Sequence, residues 1–414
     1  ADPGVALAKL ESDNALVAAI TTDEALSLLA KGDPIFADTK LICGPEYRCD
    51  FTLGDNPNNR LTLVGPTSIR LLSAGPNGVA DPGEIATVKL YFGRAVASFA
   101  SLGSRWLIEV GERQWTATSA SDDALLAFDL KYDRMLGADP MVPENRSILL
   151  SLSSVSGDIS ISGPGLADGS GDLASGDLAS GDGSVVLKPD SGITVDLSRA
   201  APKTMELVID GDRKAWIDPE TDSGSLEAFA ASDLLELVRS DASDLMLSLR
   251  VAMTFRRSEV VSLAGQTMLA LDDASAYFGV DGLLSNAKQR IYWSTHMDAL
   301  RDMMARGVDE SKKVRIAIAG QNDAIDDADG DTLFRLLIGY SADDLAAGGD
   351  KELVADLESA SMPVRVLASE HLRDINGTTL SFKPDEEVDS RREDVIKKWK
   401  ARLRNGAIRY SEAE

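Results

Sequence analysis

The spacing of hydrophobic positions changes once along the chain. Before about residue 215, apolar residues alternate with polar ones between Gly, Asp and Pro turns, and from about Gly224 onward they recur every three or four positions. Alternation places every second side chain of a strand on a core, whereas the longer spacing places one stripe of a helix there. The pattern therefore predicts a multi-domain chain, with an all-β domain over 1–222 followed by an α-helical domain over 223–414.

The first half contains many short segments with β patterning. Strands are predicted over 25–29, 40–43, 48–53, 60–64, 68–72, 86–92, 95–100, 106–110, 113–118, 125–130, 147–152, 157–162, 184–187, 192–197 and 205–209. Short strands at such close spacing are typical of a sandwich, a barrel or a solenoid. A Gly/Ser/Asp-rich stretch at 163–184 lies between strand candidates, and we interpret it as a loop of the β domain.

Helical spacing continues through the second half. Helices are predicted over 226–238, 245–251, 260–271, 288–306, 310–319, 332–340, 351–359, 363–375 and 388–404. Most are close to the average length of a globular helix, and short loops join many of them. This combination favours stacked antiparallel helical hairpins.

Several motifs in the first half share one pattern of turns and alternation. They are Gly32-Asp33-Pro34-Ile35, Gly44-Pro45-Glu46, Phe51-Thr52-Leu53-Gly54-Asp55, Leu61-Thr62-Leu63 and Gly93-Arg94-Ala95-Val96. With these motifs, residues 20–160 resemble the FecR-type β domain. The resemblance implies an antiparallel β sandwich or solenoid that lies in the periplasm and contacts another protein without catalysis. The chain departs from the full family pattern because it has no cytoplasmic anti-sigma segment and no membrane helix.

Part of the second half resembles HEAT repeats. In residues 353–372 a first helix and a short turn precede a second helix that carries Val364, Arg365, Leu367, Ala368 and Leu372 at the family's x-V-R-x-L-A-x-x-x-L positions. Residues 257–268 form a weaker copy. The resemblance implies a scaffold that binds other macromolecules, because each repeat buries its apolar stripe only against a neighbour.

Composition narrows the possible partners. The 414 residues include 42 basic and 67 acidic side chains, for a formal charge of -25, which disfavours binding to nucleic acid or an anionic membrane surface. The longest apolar runs fall short of the roughly 20 residues that a spanning helix requires. The chain begins at Ala1 without an initiator Met, so we expect that an N-terminal signal or anchor was removed or that a vector remnant is present.

The two cysteines, Cys43 and Cys49, flank the Gly44-Pro45-Glu46 turn. If the flanking segments pair as a hairpin, the two side chains face each other at a separation suited to a disulfide. So small a loop would be stabilised by about 2 to 3 kcal/mol. The sequence therefore predicts a Cys43–Cys49 disulfide and an oxidising compartment, with two reduced structural thiols as the alternative.

Other candidate chemistry is sparse. His296 and His371 lie among apolar residues, and we interpret each as packed and hydrogen-bonded rather than as a ligand or a base. No phosphate-binding loop, zinc-protease motif or nucleophile elbow is present, so the sequence predicts no catalytic residue and no cofactor. Two acidic regions resemble calcium loops in composition, but their spacing does not fit the known motifs, and Asp331 is interpreted as a cap for a helix that begins at Thr332. The acidic residues concerned are Asp168, Asp172, Asp177 and Asp182, and Asp323, Asp326, Asp327, Asp329 and Asp331.

One basic stretch stands out in this acidic chain. A helix over 388–404 would bury Val395, Ile396, Trp399 and Leu403 and leave its cations outside. One interpretation is a solvent-exposed face whose cations near the C-terminal end interact favourably with the helix dipole. The other is a surface that binds an acidic partner. The cations are Arg391, Arg392, Lys397, Lys398, Lys400, Arg402 and Arg404.

The sequence thus predicts a non-enzymatic periplasmic or cell-envelope protein that binds protein partners or assembles with itself, with a role linked to envelope signalling as one form of this function. The first alternative is an envelope hydrolase or carbohydrate-active protein that uses Asp and Glu side chains in an interdomain groove. Clustered carboxylates with raised pKa values would favour that alternative. The second alternative is a calcium-dependent adhesion module, which requires ions at the acidic loops.

Overall fold

The computed structural model describes residues 6–72, 83–166, 182–199, 202–207, 215–217, 225–240, 244–320, 327–386 and 390–410. The chain forms two compact units. Unit 1 comprises Ala1–Tyr132 and Ser147–Ala252, and unit 2 comprises Asp133–Arg146 and Met253–Glu414. Strands dominate the first unit and helices the second, so the predicted order of a β region before an α region is confirmed.

The strands of the described residues form one continuous hydrogen-bonded network. They are β1 (Ala6–Leu10), β2 (Val17–Ile20), β3 (Leu26–Leu28), β4 (Pro34–Phe36), β5 (Lys40–Cys43), β6 (Arg48–Leu53), β7 (Arg60–Leu72), β8 (Glu84–Ser98), β9 (Arg105–Val110), β10 (Arg113–Ser119), β11 (Leu125–Arg134), β12 (Arg146–Ser156), β13 (Ile159–Pro164), β14 (Asp182–Leu187), β15 (Ser191–Asp196) and β16 (Lys203–Leu207).

The network contains two rows of neighbouring strands, which we call ladders. Both rows include the long strands β7 and β8. The first ladder has the order β3-β2-β5-β7-β8-β9-β10-β13-β14 and uses the second part of β7 with the first part of β8. The second has the order β4-β1-β6-β7-β8-β11-β12-β15-β16 and uses the other parts of the same two strands. The pairing of β8 with β9 is parallel, so the network is mixed rather than wholly antiparallel.

Glycines shape the point where β7 and β8 pass from one ladder to the other. The register between the two strands shifts between Val64 and Ser68. Gly93 on β8 has a φ of 92°, and a Cβ there would lie 2.3 Å from the Pro66 carbonyl oxygen. A Cβ on Gly65 would lie 1.7 Å from the Gly44 carbonyl oxygen. Only glycine therefore allows the close backbone approach at this bend.

Alternation predicts most of the strands but not their continuity. Segments 60–64 and 68–72 are one strand, β7, and segments 86–92 and 95–100 fall largely within one strand, β8. The sequence pattern does not predict three strands, namely β1, β2 and the three-residue β4. β1 reads Ala-Leu-Ala-Lys-Leu, and these residues favour helices, so the tertiary pairing overrides local propensity.

The predicted disulfide is wrong for this structure, in which both cysteines are free, buried thiols. Strands β5 and β6 do not pair with each other, because each pairs with a different part of β7. Cys43 therefore lies opposite Thr67, and Cys49 lies opposite Leu63. The Cys43 thiol lies 3.4 Å from the Tyr47 carbonyl oxygen. Burial, together with the hydrogen bond to Cys43, raises the pKa of the Cys49 thiol well above its ordinary value.

The helices of the described residues closely follow the predicted segments. They are α1 (Leu226–Ser240), α2 (Leu245–Ala252), α3 (Ser258–Ala270), α4 (Trp293–Arg306), α5 (Val308–Ala319), α6 (Asp327–Ile338), α7 (Ala342–Asp344), α8 (Asp350–Asp356), α9 (Met362–Asn376) and α10 (Ser390–Arg404). A π-helical turn, Leu345–Gly349, joins α7 to α8. Helices α3 to α10 enclose a core that includes Trp293, Trp399, Tyr277 and Tyr340.

The two units do not divide at 222/223, where the hydrophobic period changes. Helices α1 and α2 belong to unit 1, and residues 133–146 belong to unit 2. Tyr47 Oη donates a 2.7 Å hydrogen bond to the Ala231 carbonyl of α1, and Arg239 donates to the Asp13 carbonyl. A change of secondary structure therefore marks the unit boundary poorly, because long-range packing determines which strands a helix joins.

Side chains cap the C-terminal end of α6 in unit 2. The last carbonyls of a helix have no partner within the helix. Here the carbonyls of residues 336–340 each accept a hydrogen bond from a side chain, and we call these carbonyls and their donors the α6 carbonyl cluster. The donors are His371 to Leu336, Arg134 to Leu337 and Ile338, Arg335 to Gly339, and Tyr410 to Tyr340. One helix end thus connects residues 133–146, α9 and the C-terminal segment.

We expect Arg134→Ala to lower the free energy of unfolding of unit 2 by about 3 kcal/mol, because it removes two hydrogen bonds from a charged donor and leaves two carbonyls without them. Urea unfolding followed by circular dichroism at 222 nm measures the change. Arg404→Ala is the matched control, since Arg404 is exposed and its loss should cost less than about 0.5 kcal/mol. Equal stability of the two variants would contradict the capping role.

Candidate functional site

Helix α10 carries the basic stretch that the sequence identifies. Its apolar stripe is inside as predicted, with Trp399 fully buried, Ile396 6% exposed, and Val395 and Leu403 partly buried against the core of unit 2. The indole Nε1 of Trp399 donates to the Thr379 carbonyl at 3.3 Å. This packing fixes which side of α10 faces outward.

A groove of about 340 Å³ lies along one side of α10. Its lining combines three cations, two acids and one apolar side chain, and we call it the α10 groove. The lining residues are Glu358, Arg392, Glu393, Ile396, Lys397 and Lys400. Arg392 and Ile396 are each 6% exposed and form its base, whereas the exposed Lys397 and half-exposed Lys400 lie at its rim.

The predicted cations have different surroundings. Arg392 is buried, and its guanidinium donates to the carbonyls of Leu357 and Glu386, so it fixes the loops beside α10. Lys397 pairs with Asp394 at 3.0 Å, and Lys400 pairs with Glu358 at 2.7 Å.

Three of the remaining cations, Lys398, Arg402 and Arg404, do not line the groove. The Arg402 guanidinium lies 5.4 Å from the centre of the Trp399 ring. Lys398 and Arg404 are exposed, and the side chain of Arg391 lies outside the described residues. The basic stretch is therefore not one surface: of the six cations whose side chains the structure describes, three meet at the groove.

His371 has a structural role in the α6 carbonyl cluster. Its Nε2 lies 2.5 Å from the Leu336 carbonyl oxygen and 2.7 Å from Arg301 Nη2, which is also 3.3 Å from Nδ1. Burial and the nearby Arg301 lower the pKa of His371 to about 3. The ring is therefore neutral at ordinary pH, and it is packed and hydrogen-bonded as the sequence interpretation expects.

His296 lies on α4 and is also fully buried. Its Nε2–H donates to Gln289 Oε1 at 3.1 Å, and the Tyr277 ring packs edge-on against it at 5.3 Å. Among the described residues, no group hydrogen-bonds to Nδ1. Burial lowers the pKa of His296 to about 3, so this ring is neutral as well.

An acidic cluster between α4 and α9 escapes the sequence analysis. Glu370 and Asp374 lie four residues apart on α9, near Asp298 and Arg301 of α4. The Glu370 side chain is only 7% exposed and pairs with Arg373 at 2.5 Å. Burial, opposed by Arg373, raises the pKa of Glu370 to about 7. The only sequence signal is the Glu370/Asp374 spacing, which resembles many solvated acidic pairs in this chain.

The structure bears only in part on the acidic loops. Asp168, Asp172, Asp177, Asp323 and Asp326 lie outside the described residues, as do the side chains of Asp182 and Asp327. Helix α6 begins at Asp327, so Asp331 lies inside it and the predicted cap is wrong. Asp331 instead contacts Arg315 at 3.3 Å. Within the described residues, no group of three or more His, Cys, Asp or Glu side chains is placed to hold a metal ion.

No family model, curated protein or solved structure matches this chain. Its helices offer no membrane span either: none in the described part of the chain combines the necessary length with sufficient apolar character. The assignment of a function therefore rests on the geometry of the residues themselves.

We expect Glu370→Gln to stabilise the protein at alkaline pH. A carboxyl whose pKa rises from 4.5 to about 7 on folding contributes stability below pH 4.5 and loses that contribution as the pH rises through 7. The gain from the neutral amide should therefore be about 2 to 3 kcal/mol larger at pH 8 than at pH 5. Urea unfolding at the two pH values tests this, with the exposed Glu393→Gln as the matched control. The same gain at both pH values would contradict it.

We expect His296→Gln to weaken the acid sensitivity of the fold. His296 is neutral in the folded chain down to about pH 3, but its ordinary pKa is 6.5, so the unfolded chain takes up a proton as the pH falls. The wild type should lose about 1.4 kcal/mol more per pH unit than the variant between pH 6 and pH 4. His371 titrates in both proteins and cancels in the comparison. Parallel pH profiles from urea unfolding would refute this expectation.

Proposed function

We propose that this chain is a non-enzymatic cell-envelope module that binds a protein partner, and that an acidic peptide segment of the partner binds in the α10 groove. The observation that carries the proposal is the meeting of Arg392, Lys397 and Lys400 around a single groove in a chain of charge -25. With three cations against two acids, the lining is less acidic than the chain as a whole, which favours an acidic partner at this groove over the rest of the surface.

The ion pairs at the rim can be exchanged for contacts with a partner. The Lys397–Asp394 pair has both side chains about two-thirds exposed, and the Lys400–Glu358 pair has both nearly half exposed. Exposed pairs of this kind contribute only about 0 to 1 kcal/mol each. A partner carboxylate can replace Asp394 or Glu358 at small cost, while the buried Arg392 and Ile396 provide a rigid base.

The proposal assigns a HEAT-like architecture to part of unit 2. Helix α8, the turn at 357–361 and helix α9 follow the helix-turn-helix order of the resemblance, and Val364, Leu367, Ala368 and Leu372 are buried in the core. The weaker copy at 257–268 lies in α3 of unit 2, whereas the helix before it, α2, belongs to unit 1. We therefore propose a single HEAT-like pair within an α-helical scaffold.

The proposal also assigns a FecR-like fold to unit 1. Its support is the run of short, mostly antiparallel strands over the residues that carry the resemblance. The envelope location rests on this resemblance, because free cysteines give no sign of an oxidising compartment.

Affinity purification from the envelope fraction of the source cells tests the proposal. We expect the wild type and the control Lys398→Glu/Arg404→Glu to retain the same partner protein, and Lys397→Glu/Lys400→Glu to lose it. The two double variants change the charge of α10 equally, but only the second reverses charges that line the groove. In a titration with the recovered partner, the groove variant should raise the Kd at least about tenfold.

Two outcomes would overturn the proposal. Equal retention by both double variants would exclude the α10 groove as the binding site. Recovery of no partner, together with turnover of an envelope glycan that Glu370→Gln abolishes, would support the hydrolase alternative, which the raised pKa of Glu370 favours.

A further inference from the structure

The first turn of α1 presents two large apolar side chains to solvent. Leu226 is 59% exposed, and Phe229, its neighbour one turn further along the helix, is 51% exposed. The Ser225 hydroxyl accepts a 3.1 Å hydrogen bond from the Ala228 amide and so caps this turn. Adjacent apolar side chains that are exposed to this extent on a capped helix form a candidate contact surface.

Two acids lie on the other side of Leu226. Successive residues of a helix are rotated by about 100°, so Leu226 lies between Phe229 and Glu227 around the axis of α1. Glu227 lies close to Glu46, in the turn between β5 and β6, because partial desolvation and, after it, the charge of Glu227 raise the pKa of Glu46. Within the described part of the chain, neither acid pairs with a cation. We call these four residues the α1 patch.

The α1 patch and the α10 groove have complementary compositions. The groove has the apolar Ile396 at its base and Lys397 and Lys400 at its rim. An apolar side chain of the patch would cover Ile396, and the two acids of the patch would gain cations that they lack in the isolated chain. Each rim lysine would exchange one exposed acid for another at small cost. The gain in charge pairing therefore arises on the side of the α1 patch.

Another exposed apolar pair in unit 1 does not match the groove. Leu247 and Val251 of α2 are also more than half exposed. The exposed Arg250 lies between them in the sequence, and its charge is unfavourable beside the lysines of the groove. The substitution Leu247→Ser/Val251→Ser, which we call the α2 variant, is therefore a matched control for loss of exposed apolar surface.

Given the binding function proposed for the α10 groove, on which this inference rests, we propose that the segment bound there is the α1 patch of a second copy of this chain. The two surfaces differ, so the contact is heterologous: each copy offers its α1 patch to one neighbour and its groove to another, and copies join head to tail. A contact centred on so few residues belongs to the class of small, transient interfaces. We expect association at about 10 to 100 µM protein.

Sedimentation velocity of the full-length protein at increasing concentration tests for this self-association. The groove variant is Lys397→Glu/Lys400→Glu, and the α1 variant is Leu226→Ser/Phe229→Ser. We expect the wild type and the α2 variant to gain mass as the concentration rises, and the groove and α1 variants to remain monomeric. Added salt should weaken the association of the wild type, because the rim charges are exposed.

An equimolar mixture of the groove variant and the α1 variant distinguishes a head-to-tail contact from other forms of association. The first keeps an intact α1 patch and the second keeps an intact groove, so the mixture should form one-to-one dimers that grow no further. Such dimers also show that both variants are folded. A wild type that stays monomeric at about 100 µM, a mixture without dimers, or an equal loss of association in the α2 variant would overturn the proposal.

Two results separate self-association from binding at the groove in general. Capture of a different envelope protein that depends on Lys397 and Lys400, together with a monomeric wild type, would overturn self-association and leave the groove as a binding site. Association that the groove variant retains but the α1 variant loses would show that the α1 patch binds elsewhere, and it would count against the groove as well.

Discussion

The close backbone approach between β7 and β8 is the constraint on which unit 1 depends. Both ladders run through this one pair of strands, so each ladder is aligned by the bend at Gly65 and Gly93. A side chain at Gly93 would collide with the Pro66 carbonyl oxygen of β7, and one at Gly65 would collide with the carbonyl oxygen of Gly44, just after β5. The same register shift leaves Tyr91 as the unpaired residue beside Lys40 and Arg70. The geometry of the bend thus also determines which side chains surround the Tyr91 ring.

Unit 2 depends on a different kind of interaction, the capping of α6 by side chains from distant parts of the chain. Arg134 is the last residue of β11, and His371 comes from α9. Because charged or aromatic donors replace the missing helical partners, the end of α6 can be buried without unsatisfied carbonyls. Both donors must then remain inside the protein, where burial lowers their pKa values. The perturbed pKa of His371 therefore follows from packing and gives no indication of catalysis.

In this chain the local hydrophobic pattern predicts local secondary structure, but it does not predict which distant strands pair. The alternation in Arg105–Val110 and the helical stripe of α10 both follow from side-chain period alone, and both predictions hold. Cys43 and Cys49 flank a turn, yet they pair with separate parts of β7, which no local pattern reveals. The cations of α10 can be identified from sequence because they are contiguous, although only the fold shows which three line the groove.

The α10 groove is a surface whose charges are already balanced by neighbouring side chains. At the α10 groove each rim lysine already has an acidic partner, so a ligand gains only the difference between two exposed ion pairs, and its specificity must come from shape and from the buried Arg392 and Ile396. Charge alone therefore contributes little to binding at the groove, which suits a larger partner that supplies apolar contact as well.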